Sequence, residues 1–447
     1  MGLAVGAVTT SSHSERARAR YTKGDLDEIL GCAVAFACLA VVLGCLGETP
    51  KQALAASKPD APPELVAPLA GVSTQSAGER KGGRLGTALL TRFRADLVKL
   101  ANHQATAPLR VLWLGDSHTA GISWPASLEA SLLQTVASGG PGYIPLGLAY
   151  GRYHGAKVSA EESFDIAPHP PAKRAEEDDR IFGLGGTRVT PRNKSIGINL
   201  KLDPNLSRGA GTGQLIFRYK GPTDRIVIST DGKSTDVKRE GTASFEGGIH
   251  AQSFPINPQI SVDIRVLTGN PELFGVIVEN DEPGLVIDVL GINGARFATT
   301  LAWDESAWTA QVRWRQPSLA VIAYGTNEVF DLVSPKRYAA EIRTLVTRIR
   351  SAAPESECIL AGPTDVGRGG QIAEDRVREI DQVEAATAEA LGCAYFSAYD
   401  AMGGMQGFDD WLHANPPLAV SDRIHLTAAG YRKLGQAMTE SLFGAPP

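Results

Sequence analysis

The longest uninterrupted apolar run in the chain, residues 29–47 (ILGCAVAFACLAVVLGCLG), carries no charge and is long enough to cross a bilayer as one helix. Past it the pattern breaks up. Residues 48–84 mix Ala, Pro, Ser, Lys and Gly, a composition that cannot bury a core and reads as a tether. From 85 to 101 apolar side chains recur at helical spacing (Leu89, Leu90, Phe93, Leu97, Leu100). A short apolar strand follows at 110–114 and runs into the turn Gly115-Asp116-Ser117. A helix is expected over 127–136, and the Gly/Pro loop GGPGYIPLG closes that unit.

Between about 195 and 289 the period changes to two. Ile196, Ile198, Leu200 and Leu202 alternate with other residues, and further β runs fall at 214–219, 225–230, 260–266 and 273–279. Turn signals such as Asp231-Gly232 and Gly269-Asn270 separate them, which predicts a β-sandwich. After 289 strand and helix alternate. Strands are expected at 319–324, 358–361 and 393–396, and helices at 335–353, 373–391 and 427–442. Repeated βα units make a parallel sheet covered by helices. The expected architecture is a three-layer α/β/α domain, residues 85–190 and 286–447, interrupted by an inserted β-sandwich at 191–285.

Arg16, Arg18, Arg20 and Lys23 precede the apolar run, so residues 1–28 are expected to stay in the cytoplasm and the rest to be exported. The long polar start, with Asp25, Asp27 and Glu28, favours an uncleaved signal anchor over a cleaved signal peptide. Val42-Leu43-Gly44-Cys45 resembles a lipobox, which offers lipidation at Cys45 as the alternative. Either way the body of the chain is expected in the cell envelope, outside the cytoplasmic membrane.

The 447 residues are 43 % hydrophobic and 21 % charged, with a formal net charge of -5. No long basic block lies in the body of the chain, so a nucleic-acid partner is not expected. Cys32, Cys38 and Cys45 lie in the apolar run, and Cys358 and Cys393 each open a predicted strand. There is no CxxC and no Cys/His cluster at metal spacing, so no structural zinc is expected. Cys358 and Cys393 are either a disulfide, in an oxidising compartment, or two buried thiols.

Acyl transfer needs a nucleophile, a base, a group that orients the base, and donors for an oxyanion. Open α/β sheets gather such groups at the carboxyl ends of their strands. Four stretches fall there: GDSH at 115–118, GINGA at 291–295, GTNE at 325–328, and DRIH at 422–425 before the last helix. In this order they resemble the four sequence blocks of the SGNH/GDSL hydrolase superfamily. The resemblance covers the α/β parts, about 85–190 and 286–445. It implies Ser117 as nucleophile, Asp422 and His425 as its partners, and an oxyanion hole from Ser117, Gly294 and Asn327. Gly291 is the lesser candidate for the glycine donor. It also implies that no metal or organic cofactor is required. GTNE departs from the common GxND; Asn327 is retained, and Glu328 is expected to hydrogen-bond a neighbouring loop.

The remaining histidines are expected outside the chemistry. His118 adjoins the nucleophile on a tight turn, where neighbours rarely aim at each other, and is read as a pocket or packing residue. Trp411 and His413 either pack a loop or line the cleft; His154, His169 and His250 carry no pattern. A sandwich between the first and second blocks is similar to the arrangement in periplasmic peptidoglycan O-acetylesterases. That resemblance implies an O-acetylated glycan as substrate, peptidoglycan first. An O-acyltransferase with the same triad, a non-catalytic glycan-binding module and a lipase are the alternatives.

Overall fold

The computed structural model describes residues 89–444 except 148–152, 161–163, 167–178, 193–195, 239–241, 258–260, 332, 368 and 369. The expected tail, anchor and tether at 1–84, with Cys32, Cys38 and Cys45, lie outside the described residues, as does His169. No helix of the described residues is long and apolar enough to cross a membrane.

Helix α1 (Thr91–Ala101) leads into β1 (Leu109–Gly115), α2 (Ser117–Ala120) and α3 (Ser123–Leu132). The chain then builds β2 (Gly142–Pro145), β3 (Ala156–Ala160), β4 (Phe164–Ile166), β5 (Val189–Pro191), β6 (Ile196–Leu202), β7 (Gly211–Arg218) and β8 (Arg225–Thr230). The series continues with β9 (Lys233–Asp236), β10 (Ala243–Phe245), β11 (Ile249–Ile256), β12 (Ser261–Thr268) and β13 (Glu272–Asn280). It returns through β14 (Leu285–Gly291), α4 (Phe297–Leu301), α5 (Glu305–Arg315), β15 (Leu319–Ala323), α6 (Pro335–Ala352), β16 (Glu357–Ala361) and α7 (Gly370–Leu391). Last come β17 (Ala394–Phe396), α8 (Ala398–Met402), α9 (Gly407–Leu412) and α10 (Ala428–Phe443).

The central sheet has the order β14-β1-β15-β16-β17 with every pairing parallel. Both its faces are covered, which is why its strands read as continuous apolar runs. In β1, Leu112 and Leu114 face a core shared with Tyr338, Ile342 and Val377 of α6 and α7. Val111 and Trp113 face the opposite core, with Phe93, Leu128 and Leu434 of α1, α3 and α10.

Between α3 and β14 the chain forms two antiparallel sheets. One has the order β10-β11-β7-β13-β5-β4, with β2 also on β13; the other is β3-β6-β12-β8-β9. In β12 Val262, Ile264 and Val266 are buried while Asp263 and Arg265 are exposed, and the buried set packs with Phe217, Ile226 and Val276 in a separate core. The sandwich therefore begins at about Gly142, not at 191, and the first α/β segment ends soon after α3. Two features hide this in the sequence. GYIP reads as a Gly/Pro loop, yet Tyr143 and Ile144 are buried in a strand paired with β13. β3 is an edge strand whose only large apolar residue is Val158.

Charged groups couple the insert to the sheet. Buried Arg315 donates to both oxygens of buried Asp288 on β14 at 2.8 and 2.9 Å, and lies 2.9 Å from Glu279 on β13. Arg110 of β1 holds Glu279 in two bonds of 2.7 and 2.8 Å. Arg315→Leu would strand the Asp288 charge, and we expect it to cost about 3–5 kcal/mol of unfolding free energy, measurable by urea titration. Cys358 and Cys393 form a disulfide with their Cα atoms 4.8 Å apart, so the open choice between a bridge and two thiols resolves to the bridge.

Candidate active site

All four blocks lie where β1, β14 and β15 end and where α10 begins. β1 stops at Gly115, and a Cβ there would sit 2.0 Å from Thr119 Oγ1, so α2 can fold back only over a glycine. Asp116 caps α2, its Oδ1 accepting the His118 N–H at 2.9 Å. Ser117 is the first residue of that short helix and is half-buried. Its Oγ lies 2.9 Å from His425 Nε2, and His425 Nδ1 lies 2.7 Å from Asp422 Oδ2. The other Asp422 oxygen accepts the backbone N–H groups of Ile424 and His425, each at 2.9 Å. Partial burial would raise the Asp422 carboxyl, but these bonds outweigh it and hold the group below the ordinary carboxylate range. Residues 308 positions apart thus form one hydrogen-bonded chain from hydroxyl to carboxylate.

The two glycines of GINGA do different things. A Cβ on Gly291 would lie 2.1 Å from the Ala120 backbone nitrogen, so Gly291 permits α2 to pack on β14. Gly294 has φ +76° and open space around it, the mark of a turn that exposes its backbone. Asn327 Nδ2 donates to Ala295 O at 3.0 Å and lies 3.4 Å from Asp116 Oδ2, so its amide sits between the GINGA loop and the residue before Ser117.

Glu328 reaches across as the sequence suggested: its carboxyl accepts the N–H of Phe297 at 3.0 Å and of Gly325 at 3.2 Å. Burial pushes it up to about 7. A second tie between these loops has no counterpart in the sequence pattern. Arg296 donates to Gly294 O at 2.7 Å and pairs through both arms of its guanidinium with Asp331. A partner 35 positions along the chain leaves no local signature.

His118 is buried, with Nδ1 2.9 Å from Tyr431 OH and Nε2 3.2 Å from Thr364 Oγ1. Burial, helped by nearby His425, pushes it down to about 3, so it stays neutral and packs behind the site. Trp411 is buried under Lys433, whose Nζ lies 5.0 Å from the ring centre, and His413 Nδ1 bonds Asp409 O at 2.8 Å, as loop packing requires. His154 pairs with buried Glu129 at 2.8 Å, and His250 stacks on Phe217 of the insert.

Asp116 is a second buried carboxyl at the site. Burial pushes it up to about 8, only partly opposed by the His118 N–H. Below its folded value the native state holds this proton more tightly than the unfolded chain, so its contribution to stability falls as pH rises from about 4 to about 8. Asp116→Asn keeps the helix cap and cannot ionise. We expect the variant to gain stability relative to the parent between about pH 5 and about pH 8, read from urea midpoints at both values.

Residues 266–433 match the GDSL-like Lipase/Acylhydrolase family. No curated protein matches by sequence. Among solved structures, one described as a peptidoglycan O-acetylesterase in action aligns with a TM-score of 0.66 and 20% identity, over 79% of this chain and 96% of that one. A structural-genomics structure from Bacillus subtilis aligns at 0.32 and 10% identity, over 64% and 90%. An acetyl-xylooligosaccharide esterase from Geobacillus aligns at 0.30 and 22% identity, over 36% and 74%. The match of residues 266–433 to the GDSL-like lipase/acylhydrolase family supports a hydrolase of ester bonds.

Proposed function

We propose that this protein is a serine esterase that removes O-acetyl groups from an envelope glycan, peptidoglycan first, through an acetyl-Ser117 intermediate. The observation that carries the reading is the chain of short hydrogen bonds from Ser117 through His425 to Asp422. The fold likeness to a peptidoglycan O-acetylesterase covers nearly all of that chain and supports a glycan substrate.

His425 Nε2 takes the Ser117 proton as Oγ adds to the acetyl carbonyl. Asp422 keeps the other imidazole proton on Nδ1 and stabilises the imidazolium. The oxyanion is received by the N–H groups of Ser117 and Gly294 and by the Asn327 amide; removing one such donor costs about 3 kcal/mol of transition-state stabilisation. His425 returns the proton to the departing sugar oxygen. It then activates a water molecule that releases acetate and frees Ser117. The route uses no metal or organic cofactor.

The Cys358–Cys393 bridge supports an oxidising compartment, in keeping with a chain tethered through 29–47, or lipidated at Cys45, with its catalytic body outside the cytoplasmic membrane. The test is to quench a reaction with 4-nitrophenyl acetate in acid and map the peptides by mass. Acetyl on the Ser117 peptide, lost to water as free acetate, is the expected result. Acetyl passed instead to an added chitooligosaccharide indicates an O-acyltransferase. No acetyl on Ser117 contradicts the covalent route and leaves a non-catalytic glycan-binding module as the better reading.

A further inference from the structure

The turn that carries the base is wound tightly. Asp422 Oδ1 binds two backbone N–H groups within it, Val420 N–H donates to His425 O at 2.8 Å, and Arg423 N–H donates to Val420 O at 3.1 Å. Such winding puts Arg423 at φ +64°, a left-handed conformation that favours glycine. An arginine persists there only if its surroundings hold it.

They do so on two sides. The Arg423 guanidinium donates to Gly367 O through Nε and lies 2.5 Å from Asp409 Oδ1 of α9 through Nη2. Gly367 N–H donates back to Arg423 O at 3.0 Å. A Cβ on Gly367 would lie 2.8 Å from Phe408 Cδ1, 3.0 Å from Nη2 and 3.1 Å from Nε, so glycine keeps this seat open between α9 and the guanidinium. Gly367 belongs to the loop after β16, which also reaches the nucleophile's side of the site: Thr364 bonds His118, the neighbour of Ser117. Asp365 ties the loop to α9 by accepting the Phe408 N–H at 2.8 Å. One short loop thus holds both the residue beside the nucleophile and the residue between Asp422 and His425.

We propose that Arg423 is a positioning residue for the hydrolysis: by bridging Gly367 and Asp409 it holds the left-handed turn that aims His425 at Ser117. This rests on Ser117, His425 and Asp422 being the reacting machinery. Arg423 touches no reacting atom. Misplacing a catalytic group by about an ångström can cost about a hundredfold in rate, so the brace is expected to act on kcat.

The experiment compares the full chain with Arg423→Ala, Arg423→Gly, Arg423→Lys and Gly367→Ala, measuring kcat and KM for 4-nitrophenyl acetate alongside melting temperature. Arg423→Gly accepts the backbone conformation but lacks the clamp; lysine keeps the charge without the planar fork. Expected are kcat losses of about tenfold to a hundredfold for the alanine and glycine variants, with KM changed less than about twofold. Lysine recovers part of the loss, and a low concentration of guanidinium salt partly rescues Arg423→Gly. Gly367→Ala, with Arg423 intact, loses kcat in the same way. An Arg423→Gly chain within about twofold of the parent overturns the brace. So does a loss that follows melting temperature alone and is not rescued by guanidinium. A parent chain without Ser117-dependent turnover overturns the hydrolase reading and the brace together, so the two failures are distinguishable.

Discussion

Ser117→Ala abolishes ester hydrolysis and leaves the fold standing. The substitution removes only the hydroxyl bonded to His425 Nε2, and alanine suits the first turn of α2, whose cap is the neighbouring Asp116. No other hydroxyl is bonded to His425 among the described residues, so no substitute nucleophile stands ready. In serine hydrolases built this way, loss of the nucleophile lowers kcat by about a millionfold. What remains comes from the oxyanion donors and substrate binding. Initial rates on 4-nitrophenyl acetate, with circular dichroism to show the native fold, check the expectation.

Asp422→Asn is the second large effect, about ten-thousandfold in kcat. Both Asp422 oxygens accept: one from the Ile424 and His425 N–H groups, the other from His425 Nδ1. Asparagine offers one oxygen. If it faces the backbone, the amide NH2 turns to Nδ1 and stabilises the imidazole tautomer protonated at Nε2, which cannot accept the Ser117 proton. If it faces the imidazole, the turn loses its acceptor and two N–H groups are left without a partner. Stopped-flow or initial-rate kinetics with a melting curve separate the cases. Low kcat with a native melting temperature marks the tautomer; low kcat with early melting marks the turn.

Much of this site is legible in the sequence because its parts are short words at strand ends. Gly115-Asp116-Ser117 follows an apolar run, Gly325-Thr326-Asn327 follows another, and Asp422 to His425 precede an amphipathic helix, so chemistry and position agree before any coordinate is known. The parts that were not legible depend on distant partners. Arg296 needs Asp331, Arg423 needs Gly367 and Asp409, and the buried acids Asp116 and Glu328 take their character from burial that a charged letter conceals. The same holds for the fold. Alternation exposes β12, but β2 is written as Gly-Tyr-Ile-Pro and β3 has one large apolar side chain, so the insert begins earlier than its pattern does. Helix α5 has no clear sequence pattern because Gln311 and Arg315 are buried within it, paired to Phe182 O and Asp288, and blur its apolar stripe.

Acetate release from O-acetylated peptidoglycan by the full chain and its Ser117→Ala variant tests the proposed esterase most directly. Release by the parent and none by the variant is the predicted result. Release that does not depend on Ser117, or no release from the glycan by a parent chain that hydrolyses 4-nitrophenyl acetate, would contradict it.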